Sequence, residues 1–182
     1  GTGFVFHGRT GTGKGVLFDK VIKPLIGENY VTELTVDNLS DQFNQWLETS
    51  IIVWLDEFNA DDSHSGDALM NKIKNLVTEN TVTIRGMRRN PIQKRVYNNI
   101  IIASNHTTPI PIDINDRRFN IAPAQENMIQ ITQQDIATIK TELSHFATFL
   151  REYQVNEQAT NRVLNNDAKA QMVAASMTSH NS

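Results

Sequence analysis

Apolar residues recur along the chain in two rhythms. Short runs at Phe4 to His7, Tyr30 to Leu34, Ile51 to Leu55 and Asn99 to Ser104 are too brief for most helices and read as strands. Between them the spacing changes to that of helix faces. Lys14 to Lys23 predicts a helix that Pro24 stops. Asp37 is expected to cap a helix carrying Leu39, Phe43, Trp46 and Leu47 on one face, and Asp67 to Val77 predicts another. Thr81 to Arg85 and Gln93 to Tyr97 flank a polar turn and predict a hairpin. Thr132 is expected to cap a long helix reaching Tyr153, with Ile136, Ile139, Leu143, Phe146 and Leu150 at helical spacing. Strands alternating with helices predict a layered α/β domain, its mainly parallel sheet flanked by helices. The expected organisation is a core over residues 1–125, a small helical part of the same domain over 126–175, and a frayed tail over 176–182.

Composition narrows this picture. The 182 residues, 39% of them hydrophobic, fit one domain with a core between sheet and helices. Cysteine is absent, which excludes disulfides, zinc–thiolate sites and cysteine nucleophiles. No apolar run approaches the roughly 20 residues of a membrane span, and no signal peptide is visible, so a cytoplasmic protein with no membrane partner is expected. The first residue is not Met and stands a few positions before a core strand, as in a piece of a longer polypeptide.

Chemistry enters at Gly8-Arg9-Thr10-Gly11-Thr12-Gly13-Lys14, which follows a strand and opens a helix, the context of a phosphate-binding P-loop. Gly8, Gly11 and Gly13 let the backbone turn so that successive N–H groups face an anion, and Lys14 adds a charge near the β- and γ-phosphates. Thr10, Thr12 and Gly15 complete the expected cradle for a nucleoside triphosphate such as ATP. Gly15 stands where a Ser or Thr hydroxyl normally reaches Mg²⁺, so weaker metal affinity is expected, with water filling the position.

Asp56-Glu57 closes the apolar run Ile51 to Leu55 in the form of a Walker B site. Asp56 would hold Mg²⁺, through water, and Glu57 would orient or deprotonate the attacking water. Asn105 ends another strand, where it could hydrogen-bond the γ-phosphate or that water. In Asp116-Arg117-Arg118-Phe119 the guanidinium groups suit phosphate, although an ion pair of either with Asp116 explains them as well.

These four segments in this order resemble the superfamily 3 helicases, and more closely the helicase domains of phage and plasmid primase-polymerase proteins. The likeness spans Phe4 to Phe119. It implies a P-loop NTPase of the ASCE, AAA+-like type that hydrolyses ATP with Mg²⁺ and translocates on single-stranded DNA as a ring, usually a hexamer. It also implies the bacterial host cytoplasm for a phage-encoded protein. In this likeness Lys14, Asp56, Glu57 and Asn105 act in cis, with Asn105 as sensor 1. Arg118 is the finger entering the neighbouring subunit's site, and Arg117 is the alternative for that role. The isolated chain is then expected to be largely monomeric and a weak ATPase, because a trans arginine needs a neighbour.

Net charge is −3, from 17 Lys and Arg against 20 Asp and Glu, so the chain is not a generally basic nucleic-acid binder. Yet Arg85, Arg88, Arg89, Lys94 and Arg95 fall together without one acid between them. Gly86, Asn90 and Pro91 supply turn chemistry, placing Arg88 and Arg89 near a hairpin tip suited to phosphates. No aromatic interleaves the tip, so sequence-nonspecific backbone contact is expected there rather than base stacking. Asp61, Asp62, His64 and Asp67, set among Ser63, Ser65 and Gly66, read as a solvated loop. His7 and His106 read as strand-end side chains, and Trp46 and Trp54 as core. Two classes therefore stand: a DNA helicase motor, and a nucleotide-dependent DNA-binding and assembly module with little turnover, which Gly15 favours. A third is an unrelated P-loop ATPase such as a helicase loader.

Overall fold

In chain order the strands among the described residues are β1 (Gly3–His7), β2 (Val31–Leu34), β3 (Ile52–Leu55), β4 (Thr81–Ile84), β5 (Ile92–Arg95), β6 (Asn99–Ser104) and β7 (Phe119–Ile121). The computed structural model describes residues 2–60, 66–113, 115–160 and 162–179. Five strands form one wholly parallel sheet in the order β2-β3-β6-β1-β7, and β4 with β5 make a separate antiparallel hairpin. β6 is the central strand, pairing Ile101 with Phe4 of β1 on one side and with Trp54 of β3 on the other.

The period-two alternation of these strands sorts the core into two layers. Val5, Val53, Leu55, Ile100 and Ile102 face one side, where they pack with Leu69, Met70, Ile73 and Val77 and with Met172 and Val173. Trp54, Ile101 and Ala103 face the other, against Phe18 and Val31. The Phe18 and Trp54 rings stack 4.7 Å apart. Strands covered on both faces are almost continuously apolar, which is why Ile51 to Leu55 and Asn99 to Ser104 were readable as buried strands.

The helix after the glycine-rich loop departs from expectation at its far end. α1 (Lys14–Val16) continues into a wider, π-helical stretch at Leu17–Ile22 and then into α2 (Lys23–Ile26), so Pro24 does not stop it. The Lys23 N–H donates to Phe18 O, five residues back, and this widened turn falls just where the proline ring and its missing N–H must be accommodated. The expected single helix from Asp37 is likewise broken. Thr35, not Asp37, is the N-cap of α3 (Val36–Ser40), in a capping box with Asn38. Asp41 leaves the helical region, and a 3₁₀ turn at Gln45–Glu48 follows.

α4 (Gly66–Thr78) precedes the hairpin, and residues 61–65, read above as a solvated loop, lie outside the described residues. Leu47, Ile84 and Val96 anchor the hairpin in a small core of their own, with Trp46 half-buried between it and the main one. The Asn44 side chain clamps it as well, accepting from the Arg85 N–H at 2.7 Å and donating to Thr83 O at 3.0 Å.

Thr132 caps α5 (Gln133–Glu152) in a capping box with Asp135. This helix lies against the π-helical stretch, and no residue in it is fully buried. α6 (Asp167–Ser179) contributes Ala168, Met172 and Val173 to the main core. The segment expected to fray is therefore helical as far as Ser179, with Ser176 buried, and residues 180–182 lie outside the described residues.

Candidate functional site

In a parallel sheet the carboxyl ends of all strands open on the same edge, and ligands gather there. β1 runs into Gly8, β3 into Asp56 and β6 into Asn105, with β6 between the other two. Lys14, Asp56, Glu57 and Asn105, together with Thr10 to Gly15, line one open cleft of about 480 Å³. Residues far apart in sequence thus meet because of strand order.

The loop's shape depends on its glycines. Gly8, Gly11 and Gly13 have φ of 131°, 81° and 90°, a region L side chains rarely adopt. Gly8 carries a second constraint, since a Cβ there would lie 2.2 Å from Gln125 O, where the chain beyond β7 crosses the loop. Arg9 N donates to that same carbonyl at 3.0 Å. Within the loop, the buried Thr12 hydroxyl donates to Arg9 O at 2.9 Å, while Thr10 is exposed. Lys14 Nζ donates to Gly8 O at 2.9 Å and Arg9 O at 3.0 Å, so its amine is held over the turn. Desolvation lowers the Lys14 pKa from its ordinary value, and the Asp56 charge opposes that shift. A Cβ at Gly15 would meet nothing within 4 Å, so the position has room for a side chain and lacks only the hydroxyl.

Asp56 is half-buried and accepts from the Trp54 indole N–H at 3.4 Å. Trp54 therefore packs in the core, as its sequence suggests, and also touches an acid of the cleft, which its sequence does not suggest. Glu57 is exposed, with φ of 48°. A non-glycine residue in this region carries a cost of about 1–2 kcal/mol, here taken at the step that turns the carboxylate out of the strand. Asp56 and Glu57 line the cleft, but no group of three His, Asp or Glu side chains suited to a metal occurs among the described residues.

His7, at the end of β1, is buried beside a second hollow that adjoins the cleft, walled by Leu17, Ala122, Pro123, Ile129 and Ile131. Burial lowers its imidazole pKa below the ordinary value, opposed mainly by the Ala122 backbone.

Arg117 and Arg118 are elsewhere. They precede β7, whose Phe119 pairs with Gly3 at the start of β1, so they stand at the opposite edge of the sheet from the glycine-rich loop. Arg118 is tied locally, with its backbone N–H 2.7 Å from Asp116 Oδ1 and its guanidinium 3.3 Å from Asp116 Oδ2. Arg117 is exposed. Buried Lys169 of α6 donates to the carbonyls of Asp116, at 2.6 Å, and Phe119, at 3.3 Å, so the C-terminal helix holds this turn in place. Sequence reasoning missed Lys169, whose partners are backbone atoms of a distant turn.

The basic segment divides once it is folded. Lys94 pairs with Glu48 at 3.1 Å, whereas Arg85, Arg88, Arg89 and Arg95 are exposed. Arg88, in the turn, has φ of 58°.

Comparison with known proteins agrees with this architecture. The chain is 31% identical over 176 residues to the DNA primase-polymerase of Nitratiruptor phage NrS-1, covering 95% of this chain and 24% of that protein. It therefore spans about a quarter of that relative's length. An apo structure of the NrS-1 C-terminal region superposes with a TM-score of 0.84 at 31% identity, covering 96% of this chain and 42% of that one. An A-form apo structure of the same region gives 0.83 at 29% identity, with the same coverage. The family described as "Family of unknown function (DUF5906)" matches residues 6–118, and the chain belongs to it.

Proposed function

We propose that this chain is the ATP-hydrolysing motor domain of a phage or plasmid DNA replication protein, a superfamily 3 helicase of P-loop NTPase fold acting on single-stranded DNA. The observation that carries this is the convergence of Lys14, Asp56, Glu57 and Asn105 on one cleft at the carboxyl ends of three adjacent parallel strands. The likeness to a phage DNA primase-polymerase supports the replication setting.

In this role the N–H groups of Gly11 to Lys14 bind the phosphates, and Lys14 offsets charge building on the β- and γ-oxygens. Glu57 orients and deprotonates the attacking water, and Asn105 hydrogen-bonds the γ-phosphate. Asp56 would hold Mg²⁺, which when bound neutralises the triphosphate. With no group of three acids or imidazoles among the described residues at the cleft and no hydroxyl at Gly15, water would complete the shell of a bound Mg²⁺. Four residue steps along β1 separate its ends by about 13 Å, so Arg117 and Arg118 serve a neighbouring copy's nucleotide rather than their own. That requirement supports a ring. Exposed Arg117 is unencumbered for the role, while Arg118 is shared with Asp116.

Gly15 favours a second reading, a nucleotide-dependent DNA-binding and assembly module with little turnover. ATP hydrolysis by the full-length protein, with and without single-stranded DNA and beside its Lys14→Ala variant, separates the two. DNA-stimulated turnover that disappears in the variant is the result expected of a motor. Intact nucleotide binding without turnover would establish the module instead.

A further inference from the structure

We propose that the outer face of the β4–β5 hairpin is a single-stranded DNA track, on which one base stacks against Tyr97 while Arg95 holds the neighbouring phosphate. This rests on the DNA-binding reading above and names a contact that it lacks, a stacking platform at the hairpin's foot.

The hairpin register sorts its side chains by face. Thr81 lies opposite Arg95, Val82 opposite Lys94, Thr83 opposite Gln93 and Ile84 opposite Ile92. Val82 and Ile84 point inward to the small core, and Lys94, on their face, is spent on Glu48. Thr81, Thr83, Gln93 and Arg95 therefore share the other face, and all are exposed. That face offers hydroxyls, an amide and a guanidinium, and none of the four is an acid, which suits a phosphate backbone.

Tyr97 continues the same alternation two residues beyond Arg95 and is 70% exposed. Its ring is not simply loose in solvent, because the Arg95 guanidinium lies over it, 5.4 Å from the centroid. An aromatic held by a cation on one side and open elsewhere is suited to stacking a base, and the arginine keeps donors for phosphate. Beside the ring is a hollow of about 200 Å³ lined by Leu76, Val77, Glu79, Asn80 and Asn98. Apolar walls and amide groups there suit a base edge. Arg88 and Arg89 at the tip and Tyr97 at the foot thus mark two ends of one strip, the tip contributing charge and the foot contributing stacking.

The test compares binding of a thymidine oligonucleotide with binding of its abasic counterpart across a range of salt. The wild-type chain is expected to prefer the base-bearing strand by about five- to a hundredfold. Tyr97→Ala should abolish that preference and leave the salt dependence unchanged, and Tyr97→Phe should restore the preference. Arg95→Ala should lower the salt slope by about one. A Tyr97→Ala variant that keeps the preference overturns the platform, and if Arg88→Ala with Arg89→Ala still weakens binding, the hairpin's wider role stands. No binding of either strand by the wild type overturns both.

Discussion

The two edges of the parallel sheet are built on different principles. At the carboxyl edge, Asp56-Glu57 and Asn105 follow directly from β3 and β6, and Lys14 opens the helix after the glycine-rich loop that leaves β1, so the parallel sheet brings all four around one cleft. At the amino edge, Arg117 and Arg118 sit on a turn with little regular structure, held by Asp116 and by Lys169 reaching in from α6. The first edge gathers its residues from within one chain. The second presents exposed Arg117, and Arg118 paired with Asp116, at the far edge from that cleft, and this contrast is the basis for proposing that they serve a neighbouring copy.

Substitutions can break this comparison at either edge. The largest effect is expected at Gly8, where alanine combines an unfavourable φ with a Cβ only 2.2 Å from the Gln125 carbonyl. Gly8→Ala should lower stability by about 2–4 kcal/mol, read in a urea titration, and should abolish nucleotide binding. Stability and binding like wild type would mean that the Gln125 crossing does not shape the loop. Next in size, Arg88→Ala with Arg89→Ala should weaken single-stranded DNA binding by about ten- to a hundredfold in low salt and flatten its salt slope by about two. An unchanged slope would remove the hairpin tip from the DNA surface.

Gly15→Ser sharpens the choice between motor and module. The position is sterically open and lies beside Lys14 at the helix start, so the fold should tolerate the change. A direct metal hydroxyl should lower the Mg²⁺ concentration for half-maximal hydrolysis by about tenfold. An unaltered Mg²⁺ requirement would show that water serves equally well.

The smallest effect concerns pH. Because burial holds the folded His7 pKa below its unfolded value, the unfolded chain binds the proton more readily. Its stabilising contribution is therefore fully present above about pH 6.5 and is lost as pH falls through the lower folded value. Melting temperature should decline below pH 6.5, and His7→Gln should flatten that decline. Parallel profiles for the two proteins would place the pH dependence elsewhere.

Legibility in the sequence follows the same division. The glycine-rich loop, Asp56-Glu57 and Asn105 were readable because local spacing and a buried strand fix them. β7 was not, since Phe119-Asn120-Ile121 is short and carries a polar residue whose amide oxygen accepts from Leu164 N at 2.8 Å. The helix past Pro24 was missed because a widened turn absorbs the proline, a local geometry with no composition signature. Thr35 displaced Asp37 as a cap because Asn38 reciprocates its hydrogen bond. The Asn44 clamp and the Lys169 bonds join residues distant in sequence through backbone atoms, and the indole contact to Asp56 depends on rotamers two residues apart, so no single-chain pattern announces them.

The most direct test of the division between the edges is a mixing experiment in the full-length protein. One variant carries Lys14→Ala, which disables the cleft and keeps the arginines. The other carries Arg117→Ala with Arg118→Ala, which keeps the cleft and removes the arginines. Each alone should lose DNA-stimulated ATP hydrolysis, the second by about a thousandfold or more. Equal mixtures should recover activity well above the sum of the two, because some intact clefts then face intact arginines. A mixture no more active than its parts, beside an active wild type, would contradict the claim that the two edges meet only between neighbouring copies.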